Sequence, residues 1–192
     1  MGFLEDADRV HIETIDEWWE WLENHHDNSP GVFVVTWRSP TGRPAPAYET
    51  LVEHALCFGW IDGRAQRLDE ERTMQWFTRR KPRSGWARPN KERIERLTAA
   101  GRLQAPGIAM IEAAKADGSW TLLDSVELLE VPDDLAAAFA ARPGARDYWE
   151  TLPRTPRREM LQWIAFARTT ATRERRISEI ADAAARGERA RG

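Results

Sequence analysis

Apolar residues in this chain repeat at two periods before about residue 88 and at a single, helical period after it. Ile15, Trp18, Trp19 and Leu22 stand at i, i+3, i+4 and i+7, one face of a helix ending near His26. Val32 to Trp37 is instead a continuous β-branched and apolar run behind the turn Asn28-Ser-Pro-Gly31, the mark of a buried strand. Tyr48, Leu51, Val52, Ala55 and Leu56 return to helical spacing up to about Cys57. From Gly59 to Asp62, Arg64 to Leu68 and Thr73 to Arg79 the pattern suits strands, with Met74, Trp76 and Thr78 on one face. Asp62-Gly63 is a hairpin-turn pair and Asp69-Glu-Glu-Arg72 a polar turn, so residues 57–79 are predicted to form an antiparallel meander. A strand over Arg9 to Ile12 and a capping box at Thr14-Ile-Asp-Glu17 precede all of these.

The second part of the chain reads as helices. Asn90 is placed to cap a helix carrying Ile94 and Leu97 and stopped by Gly101. Pro106 suits the first turn of a helix running to about Asp117. Further helices are predicted over Pro132 to Ala141, Ala145 to Thr151, Thr155 to Arg168 and Thr169 to Ala185, whereas Trp120 to Val131 fits neither period and is expected to be mostly loop. The expected fold is α+β: a small antiparallel sheet with helices over residues 1–88, then an all-helical region over 89–192. Trp18, Leu22, Leu51, Leu56, Trp163 and Ile164 are its predicted core.

Composition narrows the class. With 42% hydrophobic and 31% charged residues the chain is globular rather than disordered. No apolar run approaches the roughly 20 residues that cross a bilayer. The N-terminal MGFLEDADRVHIET has no basic start followed by an apolar stretch, so no secretory signal is expected. The single Cys57 excludes an internal disulfide and suits a reducing cytoplasm, where it reads as a small buried hydrophobe. Four scattered histidines, with no HExxH, CxxC, phosphate-binding glycine loop or GxSxG, lead to an expectation of no metal and no cofactor, and of binding ahead of catalysis.

Charge supplies the positive signal. Residues 72–96 hold nine Lys and Arg against two Asp and Glu, while residues 1–71 hold five against fifteen. The candidate ligand-binding residues are therefore Trp60, Asp62, Arg79, Arg80, Lys81, Arg83, Trp86 and Arg88. Guanidinium forks take carboxylate or phosphate oxygens two at a time, and indoles stack on rings. Two readings stand side by side: these cations pair with the acidic first part of the chain, or they accept a small external anion or a protein partner. Asp62 likewise is either a turn aspartate bonded to its own backbone or an acid whose pKa the neighbouring cations depress. A small enzyme acting on an anionic metabolite between residues 79–91 and Asp62, and a weak single-stranded nucleic-acid binder, are the alternative functions.

Two blocks carry a family resemblance. Leu56-Cys-Phe-Gly-Trp-Ile-Asp-Gly63 is followed by Phe77-Thr-Arg-Arg-Lys-Pro-Arg-Ser84 with Trp86, then by Arg93-Ile-Glu-Arg-Leu97 and Gly101. Trp163-Ile-Ala to Arg168, Thr172-Arg173 and Arg176-Ile177 close the chain in the same style. Together they resemble the YdeI/OmpD-associated family of bacterial proteins, with departures at Ala87 and Phe166. The resemblance implies a link to tolerance of antimicrobial peptides and bacteriocins and to porins. It brings no catalytic residues.

Overall fold

Thr14 opens the first helix as its capping box predicts. In the computed structural model, which describes residues 7–190, the Thr14 hydroxyl accepts from the Glu17 amide at 3.4 Å, and the Glu17 carboxylate accepts from the amides of Glu13 and Thr14 at 2.7 and 3.1 Å. Helix α1 (Ile15–His25) follows, burying Trp18 and Leu22. The Trp18 indole donates to the Leu51 carbonyl at 3.1 Å, which ties α1 to α2 (Tyr48–Cys57).

The sheet has four strands in the order β1-β2-β4-β3: β1 (Arg9–His11), β2 (Val32–Trp37), β3 (Trp60–Arg67) and β4 (Arg72–Arg79). It is mixed rather than wholly antiparallel, because β1 runs parallel to β2 across α1. Phe33, Val35 and Met74 cluster on one face, with Trp76 edge-on to Phe33. On the other face Phe77 lies against Trp18 of α1, with ring centroids 5.1 Å apart. The anticipated meander is a hairpin of two strands. Asp62-Gly63 lies inside β3 at a register irregularity between Asp62 and Ala65 and makes no turn. Both flanks of that pair bond to the same partner strand, so the extra residue bulges, and the Gln75 side-chain Nε2 fills the gap by donating to the Gly63 carbonyl at 2.7 Å.

The chain divides into two compact units. The first runs through Ser84 and includes Pro89–Gly118; the second takes Gly85–Arg88 and everything from Ser119. Helix α3 (Arg88–Ala99) starts two residues before Asn90, so Asn90 does not cap it. Its side-chain oxygen instead accepts from Arg93 at 2.7 Å. Helix α4 (Ala105–Ala116) carries Pro106 in its first turn. Gly107 meets the end of α2 so closely that a Cβ there would lie 2.3 Å from the Cys57 carbonyl oxygen. Gly59, at φ 74, turns the chain from α2 into β3.

His54 is a buried histidine with both ring nitrogens engaged. Nδ1 meets the Thr50 carbonyl at 2.8 Å and Nε2 meets an Arg102 guanidinium nitrogen at 2.8 Å. A guanidinium only donates, so Nε2 must accept, and the ring is neutral with its proton on Nδ1. Burial pushes its pKa below the ordinary 6.5, opposed by the Thr50 bond and reinforced by Arg102. The unfolded chain therefore binds a proton that the folded chain refuses, and stability falls as pH drops from about 6.5 toward the folded pKa. The denaturation midpoint is expected to decline in that window, above the range where carboxylates titrate, and His54→Gln should flatten the decline. An equal slope in both proteins would remove His54 as its source.

The second unit is helical: α5 (Asp124–Glu127), α6 (Asp133–Ala140), α7 (Ala145–Thr151), α8 (Arg154–Ala165) and α9 (Thr170–Ala185). Leu135, Phe139, Trp149, Met160, Ile164 and Ile180 are central to its core. The stretch expected to be mostly loop contains α5. That helix ends with the Leu129 amide on the Val126 carbonyl and the Glu130 amide on the Ser125 carbonyl, placing Leu129 at φ 58 where glycine is usual. The side chain of Leu129 packs on the core, which holds it there. Ile164 is buried as predicted, but Trp163 is only half-buried, with the Arg176 guanidinium over its ring and donating to its carbonyl.

Candidate functional site

Strand β4 ends in Arg79, and the next five residues make a tight corner. The Ser84 amide donates to the Lys81 carbonyl at 3.3 Å, and the Ser84 hydroxyl donates to the same oxygen at 2.7 Å. With Pro82 at the second position and Arg83 at φ 60 in the third, Lys81-Pro82-Arg83-Ser84 follows the pattern of a type II turn. The third position of that turn ordinarily holds glycine, because a side chain in the left-handed region costs roughly 1–2 kcal/mol. An exposed arginine stands there instead.

Beneath the corner lies Arg80, 6% exposed. Its guanidinium donates to the Ser84 carbonyl and hydroxyl at 3.5 and 3.4 Å, and its amide donates to the Gly59 carbonyl at 3.0 Å. Burial lowers its pKa to about 10, against the field of Asp62, so it stays charged at neutral pH. Arg80 is thus a peg that fixes the turn. Arg79, Lys81 and Arg83 are exposed around it. Arg79 donates to the Asp27 carbonyl at 3.2 Å, and none of the three has a carboxylate partner among the described residues.

The later part of the basic segment is arranged differently. Arg93 forks onto Glu49 at 2.8 and 2.6 Å, and Arg96 reaches Glu49 at 3.2 Å and Glu53 at 2.7 Å. The bond from Arg93 holds the Glu49 carboxyl below its ordinary value. The acidic first part of the chain therefore neutralises Arg93 and Arg96 on α3 and leaves the crown of Arg79, Lys81 and Arg83 open.

Asp62 sits on β3 two residues beyond Trp60, and Trp60 pairs with Arg79 across the hairpin. Its Oδ2 accepts from the Tyr48 hydroxyl at 2.5 Å. Tyr48 begins α2, is half exposed, and has its pKa pushed up to about 12 by burial and by the bond to Asp62. It is a neutral donor across the physiological range. Sequence periodicity assigned Tyr48 to the apolar stripe of α2; it lies on that stripe at the end where the core stops, and its position just ahead of Glu49 in the first turn is the only local hint of a polar role.

The remaining candidates stand apart from the crown. Trp60 is fully buried, with its indole donating to the His26 carbonyl at 3.0 Å and its ring edge-on to Trp21. Trp86 belongs to the second unit, 2% exposed and tilted against Trp120 at 5.0 Å. Arg88 is exposed as the first residue of α3. Among the described residues no cluster of His, Cys, Asp and Glu suits a metal ion, and no helix is long and apolar enough to cross a membrane. The Cys57 thiol is buried and pushed up to about 11 by desolvation, far from the thiolate a nucleophile needs.

Residues 10–110 match the family described as a domain of unknown function (DUF8412), and residues 128–187 match the family described as Bacteriocin-protection, YdeI or OmpD-Associated. No curated protein and no solved structure matches the chain.

Proposed function

The chain belongs to the DUF8412 family and closes with a bacteriocin-protection, YdeI or OmpD-associated domain; from that membership, and from the open cations at the end of β4, we propose that it acts in the cytoplasm by binding a small anion. The observation that carries the reading is Arg83, an exposed arginine held at φ 60 in a glycine position. Strain of this kind persists where the surroundings over-determine it, and it clusters at binding sites. Arg80 and Ser84 supply that over-determination from below. The description of the C-terminal family as bacteriocin-protection supports reading that binding as part of bacteriocin tolerance. Nucleic-acid binding is less well supported, because Trp60 and Trp86 are buried and offer bases no stacking surface.

Thermal unfolding in inorganic phosphate at constant ionic strength tests the reading. The wild-type melting temperature is expected to rise with phosphate, as a ligand bound only by the folded state requires. Arg83→Gly should melt at or above wild type in the absence of anion, because relief of the left-handed strain contributes about 1–2 kcal/mol. It should also lose the phosphate response. An Arg83→Gly protein that responds to phosphate as wild type does would dismiss the crown as the site.

A further inference from the structure

Strand β1 lies at one edge of the sheet, with β2 as its neighbour on the inner side. The Asp8 carbonyl accepts from the Phe33 amide at 2.9 Å, and the Ile12 amide donates to the Val35 carbonyl at 3.0 Å. A parallel ladder takes its bonds from alternate residues, so Asp8, Val10 and Ile12 face β2. Arg9 and His11, both exposed, turn amide and carbonyl to the outer edge, where no hydrogen bond meets them among the described residues. The opposite edge is guarded: β3 bulges between Asp62 and Ala65 and carries exposed Arg64 and Arg67.

Helix α1 leaves a groove beside the open edge. Val10, Trp21 and His25 belong to both of two clefts, of about 390 and 400 Å³, that follow β1 on the side of that helix. One cleft continues past Ile12 to Glu17 and Glu20, the other past Asp8 to Asn28 and Pro30. Side chains alternate along a strand, so Arg9 and His11 project to the other face, that of their cross-strand partners Phe33 and Val35. The groove under α1 is therefore acidic, with Asp8, Glu17 and Glu20 along it.

We propose that β1 is a docking edge for an extended basic segment of a partner protein, which adds to the sheet as a fifth strand beneath α1. Four backbone groups, the amide and carbonyl of Arg9 and of His11, supply the hydrogen bonds of strand addition. Every second side chain of the added strand faces α1: one opposite Val10 meets Trp21, and those two residues before and after it meet the carboxylates of the two clefts. Those two positions take lysine or arginine. A second copy of this edge would instead bring the same carboxylates together, which disfavours self-pairing. The surface is separate from the crown and does not rest on the anion-binding reading.

The probe is the peptide acetyl-Lys-Thr-Val-Thr-Lys-amide, titrated into the full chain and followed by heteronuclear NMR. The Arg9 and His11 amide signals are expected to shift. Antiparallel addition sets the two Thr residues opposite Arg9 and His11 and points their amides at β1, while the Val and second Lys amides point to solvent. N-methylation of both Thr residues should weaken binding by about tenfold or more, the loss of two hydrogen bonds, and N-methylation of Val and the second Lys should weaken it much less. The reverse ranking would keep the edge and set the added strand parallel. Glutamate in place of both lysines should abolish binding, and Glu20→Gln, at an exposed position outside the helix cap, should weaken the lysine peptide. Unmoved Arg9 and His11 signals, or equal losses from the two methylation patterns, would overturn strand addition. A glutamate peptide that binds as well, or an unchanged affinity in Glu20→Gln, would overturn the basic partner.

Discussion

Trp149→Ala is expected to lower stability by about 3–5 kcal/mol, the range for deleting a buried aromatic from a core. Trp149 is 1% exposed and lies 5.4 Å from the ring of Phe139, within a cluster that includes Met160, Ile164 and Ile180. Removing the indole leaves a void that helices α6 to α9 fill only by moving together. Urea denaturation followed by far-ultraviolet circular dichroism checks the loss, because this unit is almost wholly helical. A midpoint within experimental error of wild type would mean that Trp149 is not a keystone of that core.

The opposite change is as damaging in the first unit. Gly107→Ala adds one methyl group, yet its Cβ would stand 2.3 Å from the Cys57 carbonyl oxygen, 2.8 Å from the Cys57 carbonyl carbon and 2.9 Å from the Leu56 carbonyl oxygen. All three are backbone atoms, so no side chain can rotate out of the way. Sliding α4 outward would also stretch the bond from the Gln104 amide to that same Cys57 carbonyl, now 3.0 Å. The expected loss is about 3 kcal/mol, the upper end for overpacking. Gly101→Ala is the control: unlike Gly107, which is helical, Gly101 stands at a positive φ, 64, and has nothing within 4 Å, so only the roughly 1–2 kcal/mol conformational term applies. A Gly107→Ala midpoint no lower than that of Gly101→Ala would show that α2 and α4 do not touch here.

Where one stripe of residues faces one core, the sequence and the structure agree closely: α1 with Trp18 and Leu22, β2, α2, α7 and α9 all stand where periodicity puts them. Asp62-Gly63 shows why local chemistry fails elsewhere. An Asp-Gly pair favours a turn in isolation, but β4 supplies partners on both sides of it, and ladder hydrogen bonds outweigh a turn preference. The parallel pairing of β1 was equally hidden, since a three-residue strand carries no mark of direction. The basic segment was legible as an excess of charge. Which of its cations would be satisfied was not, because Glu49 and Glu53 lie more than forty residues from Arg93 and Arg96 and meet them only once α2 and α3 have folded. Tyr48 was missed for a related reason: its value comes from Asp62, a neighbour across the fold.

The strand order has a consequence for the chain as it is made. Strand β2 is flanked by β1 on one side and β4 on the other, and Val32 pairs with Phe77. A growing chain thus completes VFVVTW, six residues without charge, proline or glycine, long before the segment that covers its second edge has left the ribosome. Such a hexamer has the composition that stacks readily into intermolecular sheets. During that interval α1 can shield a face, but the unpaired edge stays open to other copies. Low-temperature expression, which slows intermolecular stacking while the hairpin of β3 and β4 is completed, is the condition that favours soluble protein.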